Sequence, residues 1–253
     1  LAHVLQTGRV RLYVDLDRPL SKDELAAFKA LIERRLAGEP TNYLTGTKEF
    51  YNRPFKVDAR VLIPRPETEL LVEAVLHAVP RDAPSRVLDV CTGSGCIAIS
   101  VAAERPQATV LATDLSKDAC ALARENAQAL GVSERVSVLE GDLFSPLPPD
   151  ATFRVVVSNP PYIDSGDIAG LSAEVRREPR LALDGGPDGL VALRRVIQGA
   201  RRVLEPGGLL ALEMGETQGS AVLELLRAAG YSDARVEKDL EQWQELCRWL
   251  DAP

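Results

Sequence analysis

The sequence predicts an α/β domain built on a parallel sheet, preceded by a small helical domain. Three observations carry that expectation. From about residue 65 onward, short apolar runs alternate with helical patterns. The runs are apolar almost without a break, as in strands buried on both faces. Glycines crowd the turn after the first of them, whereas the first forty residues hold helical spacing and no such run.

Each element follows in order. Ser21 and Glu24 form a capping box, and Leu25, Phe28, Leu31, Ile32 and Leu36 recur at helical spacing until Gly38 and Pro40 stop the helix. Residues 1–41 are therefore expected to be helical. Residues 42–64 change character: Tyr43, Leu44, Phe50, Tyr51, Phe55, Val57, Val61 and Ile63 are punctuated by Gly46, Asn52 and Pro54, which predicts short strands and turns in a linking hairpin. A domain over 65–253 then begins with a helix near 67–78. Strands are expected at RVLDV (86–90), TVLAT (109–113), VSVLE (136–140), RVVVS (154–158) and GLLALE (208–213). Helices follow the glycine turn, run from the Ser116 cap to Gly131, cover 190–204, and lie near 217–229 before Gly230. The tail from Tyr231 is expected to add a last pair of strands, with Trp243 and Trp249 packing rather than acting.

Composition narrows the function. The chain has 253 residues, 45% apolar and 26% charged, enough for one large domain and an appendage. No apolar run approaches the ~20 residues of a membrane span, so a cytoplasmic protein without membrane contact is expected. Four cysteines without paired spacing make neither a disulfide framework nor a zinc site. The excess of 37 acidic over 30 basic side chains argues against indiscriminate binding to nucleic acid. Two histidines leave little for histidine-based hydrolysis, and no metal is expected. The chain starts at Leu1, and its helical domain reads as incomplete.

The segment DVCTGSGC (89–96) puts Asp89 at a strand end and Thr92, Gly93, Ser94 and Gly95 in the turn that opens the next helix. Glycine there lets backbone approach a ligand, and the helix start offers unpaired N–H groups; a tight turn also needs glycine for structural reasons alone. Asp114, at the end of the second strand, can accept both hydroxyls of a ribose or can cap the next helix. In GDLF (141–144), Asp142 can accept from an adenine amino group while Leu143 covers the ring, or Asp142 is an ordinary loop residue. A dinucleotide fingerprint is incomplete, because Cys91 fills its first glycine slot and Ala98 its last. Asp89 would repel a pyrophosphate but suits a cationic amino group, which favours S-adenosylmethionine.

The fourth strand runs into SNPPYI (158–163). Two prolines cannot continue a central strand, so they fix an extended turn at its carboxyl end and hold Asn159 and Tyr162 at the mouth of the sheet. The plainer reading is a strand terminator with a packed tyrosine. Functionally, the Asn159 side-chain oxygen and the Pro160 carbonyl can accept from the N–H groups of a planar nitrogen and return electron density to it, while Tyr162 offers a flat face.

These segments, with GEPTNYLTGTKEFY (38–51), LIPRPETELLVE (62–73) and EPRLALDGGPDGL (178–190), resemble the HemK-type glutamine N5-methyltransferases, in particular those that modify peptide chain release factors. The resemblance spans most of the chain in order. It implies a Rossmann-like class I S-adenosylmethionine-dependent methyltransferase domain with a small N-terminal helical domain. It also implies methylation of the glutamine of a Gly-Gly-Gln motif in a release factor. A monomer is expected. By resemblance, Thr92, Gly93, Ser94, Gly95, Asp114, Leu143 and Asn159 serve the cofactor, and Asn159, Pro160, Pro161 and Tyr162 meet the substrate. Arg65, Pro66, Glu67 and Thr68 border the pocket, although Glu67 also suits a helix start. Cys91 departs from the glycine common in the family, and the tail lacks the expected arginine-containing ending.

Three rivals remain. A ribosomal-protein glutamine is the nearest. A nucleic-acid adenine methyltransferase shares NPPY and would use the pairs Arg176–Arg177, Arg194–Arg195 and Arg201–Arg202, but only about sixty residues are left to read a base sequence. A cofactor-holding module without turnover is opposed by the intact SNPPY segment.

Overall fold

The computed structural model describes residues 1–238 and 245–250. Two helices open the chain, α1 (Arg9–Val14) and α2 (Lys22–Leu36). The Ser21 hydroxyl accepts from the Glu24 N–H and the Glu24 carboxylate accepts from the Ser21 N–H, so the capping box closes as expected. A short helix α3 (Thr41–Thr45) follows. The strand pattern expected from residue 42 therefore starts later, at Thr47: Pro40 fits the helix entrance and Gly46, at φ +71°, ends the turn.

The hairpin pairs β1 (Thr47–Phe50) with β2 (Arg53–Lys56). Its two-residue turn sets both Tyr51 and Asn52 at positive φ, which matches the twist of the strands. Phe50 and Phe55 meet edge to face with centroids 6.0 Å apart and pack into the main core.

A seven-stranded sheet follows. Its strands are β3 (Ser85–Val90), β4 (Ala108–Asp114), β5 (Val136–Glu140), β6 (Phe153–Ser158), β7 (Leu204–Met214), β8 (Arg235–Lys238) and β9 (Glu245–Leu250). The order is β5-β4-β3-β6-β7-β9-β8, parallel from β5 to β7, with β9 and β8 antiparallel. The expected last pair of strands thus exists. Trp243 lies outside the described residues, as do the surroundings of the Trp249 side chain.

Helices α4 (Glu69–Ala78), α5 (Cys96–Glu104) and α6 (Lys117–Ala129) belong with one core, while α7 (Val191–Ala200) and α8 (Gly219–Ala228) belong with the other. Strand residues alternate between them: Val87, Val155 and Val157 join the first, and Leu88, Val156 and Leu210 join the second. Both faces are covered, which is why these strands read as unbroken apolar runs. Helix α7 ends at Ala200 rather than near 204, because Leu204 already pairs with Phe153 and begins β7. No helix among the described residues is long and apolar enough to cross a membrane.

The chain leaves β3 outward to β4 and β5, then returns to the other side of β3 for β6 and β7. Ligands bind at such a reversal of strand order, beyond the carboxyl ends of the strands.

Candidate active site

The glycine turn leaves β3 through Cys91, which holds φ +62°, a left-handed conformation that costs an ordinary side chain roughly 1–2 kcal/mol. A glycine, which the resemblance leads one to expect at this position, would carry no such cost. The Thr92 N–H donates to the Thr113 carbonyl at 3.0 Å and ties the turn to β4. At Gly95, φ +80° excludes most side chains, and a Cβ would come 2.9 Å from Ile99 and 3.2 Å from Ala123. Asp89 is fully buried beneath the turn, not in the cavity wall. Its Oδ2 accepts from the Thr92 hydroxyl at 2.6 Å and the Ala98 N–H at 3.2 Å. Its Oδ1 is buried with no partner among the described residues, and burial pushes the carboxyl up to about 7.

Asp114 stands where β4 ends. Its two oxygens accept from the N–H groups of Gly93 and Ser116, each at 2.8 Å. Burial raises its carboxyl above the ordinary range, and the two amides oppose the rise. The cap of α6 falls to Ser116, whose hydroxyl accepts from the Ala119 N–H. Asp114 therefore braces the glycine turn and still has lone pairs toward the cavity it lines. Asp142 also lines the cavity, in a half-exposed ion pair with Arg195 at 2.6 Å. Leu143 beside it adopts φ +50°.

At the end of β6, the Ser158 hydroxyl donates to the Val90 carbonyl at 2.6 Å and locks the strand tip to β3. The Asn159 amide nitrogen donates to Thr68 Oγ1 at 3.2 Å, and the Thr68 hydroxyl donates to Glu213 Oε2 at 2.7 Å. The Tyr162 hydroxyl donates to the other Glu213 oxygen at 3.3 Å. Asn159 and Pro161 line the cavity; Pro160 and Tyr162 do not, so Tyr162 enters the arrangement through its hydroxyl rather than as a cavity wall. The GGPDG turn clamps the same segment from behind. A Cβ on Gly185 would lie 2.7 Å from Tyr162 Cα, and one on Gly189 would strike the Tyr162 carbonyl.

A strap over residues 57–65 closes another side. Glu178 accepts from the Ile63 N–H at 2.9 Å and pairs with Arg65 at 2.6 Å. Arg65 lines the cavity, whereas Pro66 is exposed and outside it, and Glu67 lies in the short 3-10 turn Pro66–Thr68 that leads into α4. On the far side, buried Asn126 accepts from the Lys56 N–H and donates to the Ser94 carbonyl, joining the hairpin to the glycine turn.

These elements enclose a cavity of about 740 Å³, within the range of ~300–1,000 Å³ typical of small-molecule sites. It has an aspartate at a strand end and an N–H-rich turn, and the Asp89 carboxyl lies behind that turn, one hydrogen bond from Thr92 of the wall. This donor and acceptor set fits a nucleoside carrying a cationic tail. Of the residues singled out from sequence, Thr92, Gly93, Ser94, Asp114, Asp142, Leu143, Asn159, Pro161 and Arg65 line it; Asp89, Gly95, Pro160, Tyr162 and Pro66 do not.

Residues 66–175 match the family described as Methyltransferase small domain, and residues 1–46 match the PrmC N-terminal domain. The chain is 48% identical over 232 residues to a release factor glutamine methyltransferase of Moorella thermoacetica, covering 91% of this chain and 82% of that protein. The chain belongs to the release factor glutamine methyltransferase family. A Geobacter sulfurreducens member is 45% identical over 240 residues, covering 94% of this chain and 83% of its own length. A solved ribosomal protein L11 methylase from Lactobacillus delbrueckii subsp. bulgaricus superposes with a TM-score of 0.56 at 19% identity. It covers 78% of this chain and 86% of that one, and it shows the shared Rossmann-like fold alone. Membership in this family implies S-adenosylmethionine as methyl donor.

Two side chains of this site carry little signal in the sequence. Glu213 lay in an apolar strand pattern, and its only signal was a carboxylate inside a run buried on both faces. Glu178 opens the segment EPRLALDGGPDGL, and no local pattern signals that it anchors the strap. Burial pushes the Cys96 thiol up to about 12 and raises that of Cys91 as well, so both stay protonated.

Proposed function

We propose that this protein transfers the methyl group of S-adenosylmethionine to the side-chain amide nitrogen of the glutamine in the Gly-Gly-Gln motif of peptide chain release factors. The observation that carries the reading is Asn159 at the end of β6, with its amide nitrogen bound to Thr68 and its oxygen without a partner among the described residues. Family membership and the cavity chemistry support it.

In this reading Asp114 accepts from the ribose hydroxyls, Asp142 accepts from the adenine amino group, and the turn Thr92–Gly95 holds the amino-acid end of the donor. Asp89 supports that end from below, through the turn. When bound, the donor supplies a sulfonium-activated methyl group open to in-line displacement. A carboxamide nitrogen is a poor nucleophile because its lone pair is shared with the carbonyl. The Asn159 oxygen and the carbonyl of Pro160, a residue that lies between the cavity-lining Asn159 and Pro161 and takes no hydrogen bond there among the described residues, can accept both of its N–H groups and draw density back to nitrogen. Catalysis then rests on positioning and on acceptors set in advance. The rigid Pro160–Pro161 turn supplies the positioning.

Each arginine pair cited for nucleic acid has at least one member engaged within the fold. Arg177 donates to the Ala37 carbonyl, Arg194 pairs with Asp188, Arg195 with Asp142, and Arg201 donates to the Ala229 carbonyl. The test offers isotopically labelled S-adenosylmethionine with a release factor, a ribosomal protein and DNA in parallel. Label in the release factor alone supports the reading, and label in DNA alone overturns it.

A further inference from the structure

We propose that Thr68 and Glu213 form a positioning relay that fixes which end of the Asn159 carboxamide faces the substrate nitrogen. The proposal rests on the glutamine-methylation reading and adds to it the device that orients its central residue. An asparagine carboxamide is nearly symmetric in shape, and only its hydrogen bonds decide whether oxygen or nitrogen faces the cavity. The reaction needs the oxygen there.

The chain of bonds sets the direction. An ionised carboxylate only accepts, so across their 2.7 Å separation the Thr68 hydroxyl gives its proton to Glu213 Oε2. The Thr68 oxygen is then left with lone pairs alone, and it accepts the Asn159 amide nitrogen. The Asn159 oxygen remains for the substrate. The second oxygen of Glu213 is held by the Tyr162 hydroxyl, so the carboxylate cannot swing away. Thr68 and Glu213 are 2% and 3% exposed, which keeps water from substituting for either partner.

The protonation state of Glu213 matters to such a relay. It faces Thr68 and the charge of Glu67 from the turn before α4, Asn159 and Tyr162 after β6, and Cys96 on α5, whose raised thiol stays neutral. Burial pushes the Glu213 carboxyl up to about 7. A protonated Glu213 becomes a donor toward Thr68 or Tyr162, and the direction of the chain is lost.

The test compares Thr68→Val, which keeps shape and removes the hydroxyl, with Thr68→Ser, which restores it. The readouts are kcat on a release factor and the Kd of S-adenosylhomocysteine. The expected result is a kcat loss of about 10–100-fold in Thr68→Val with Kd within about threefold, and recovery of most turnover in Thr68→Ser. Unchanged kcat in Thr68→Val overturns the relay, and so does an equal loss of kcat and cofactor affinity. Should Thr68→Val not fold, Glu213→Gln decides. It keeps an acceptor but cannot titrate, so the rise of kcat with pH near 7 should disappear; an unaltered profile overturns the proposal. If the wild-type protein leaves release factors unmethylated, the functional reading fails instead, a result separate from each of these.

Discussion

Glu178→Ala removes the anchor of the strap that walls the cavity. In the native protein this carboxylate, 5% exposed, accepts from the buried Ile63 N–H and pairs with Arg65. Removing one member of a buried pair costs about 3–5 kcal/mol. Arg65 is 29% exposed and can regain water, which brings its share to the low end, while the unpaired Ile63 N–H adds about 1 kcal/mol. A net loss of about 4 kcal/mol is expected. At roughly 2.1 cal/mol/K of unfolding entropy per residue, a chain of 253 residues should lose about 8 °C in Tm. Glu178→Gln keeps an oxygen for Ile63 and should lose about half as much. Differential scanning calorimetry checks both, and calorimetric titration with S-adenosylhomocysteine should show weaker binding as the strap loosens. A Glu178→Ala protein that melts within 1 °C of wild type, on the scale of these effects, would refute the anchoring argument.

Asn159→Ala should leave cofactor binding measurable and lower methyl transfer at least ~100-fold, the scale of one lost transition-state hydrogen bond, read by single-turnover kinetics. Asp114→Ala removes both the ribose acceptor and the brace on Gly93, so cofactor Kd should rise at least ~10-fold by calorimetry. Gly185→Ala forces a Cβ against the Tyr162 backbone, and its kcat should fall more than its cofactor affinity. The Glu213 carboxyl is raised from 4.5 to about 7 by burial. Its folded form thus binds a proton more tightly than the unfolded chain does. The stability this gives is full below pH ~4.5 and is lost as pH rises through about 7, by about 3 kcal/mol in total. Glu213→Gln should therefore gain in Tm relative to wild type between pH 5 and about 7.5; a constant difference across that range would contradict the assignment.

The sheet was readable because its central strands are buried on both faces, so Val87, Leu88, Val155 and Val156 form runs that no surface element would carry. The caps at Ser21 and Ser116 were readable because their chemistry is local. Tertiary effects were not. The stretch 41–45 looks like the strands after it but turns helical after Pro40, and the pattern of α7 runs on into β7 because Val203 and Leu204 are apolar for the strand's sake. In the site, the glycine turn, Asp114 and Asn159 announce themselves by spacing. Glu213 meets Asn159 and Thr68 only after three separated segments fold together, and nothing within any one segment signals that meeting. Pro66 and Tyr162 show the converse, since a motif can be present while some of its members stand outside the cavity, Pro66 at the surface and Tyr162 through its hydroxyl bond to Glu213.

The most direct measurement is tandem mass spectrometry of a release factor incubated with this protein and S-adenosylmethionine, beside a substrate in which the motif glutamine is replaced by asparagine. One methyl group on the glutamine side-chain nitrogen, absent from the asparagine variant, is the result expected from a carboxamide seated against Asn159 and Pro160. Methylation elsewhere on the factor, or equal methylation of both substrates, would contradict it.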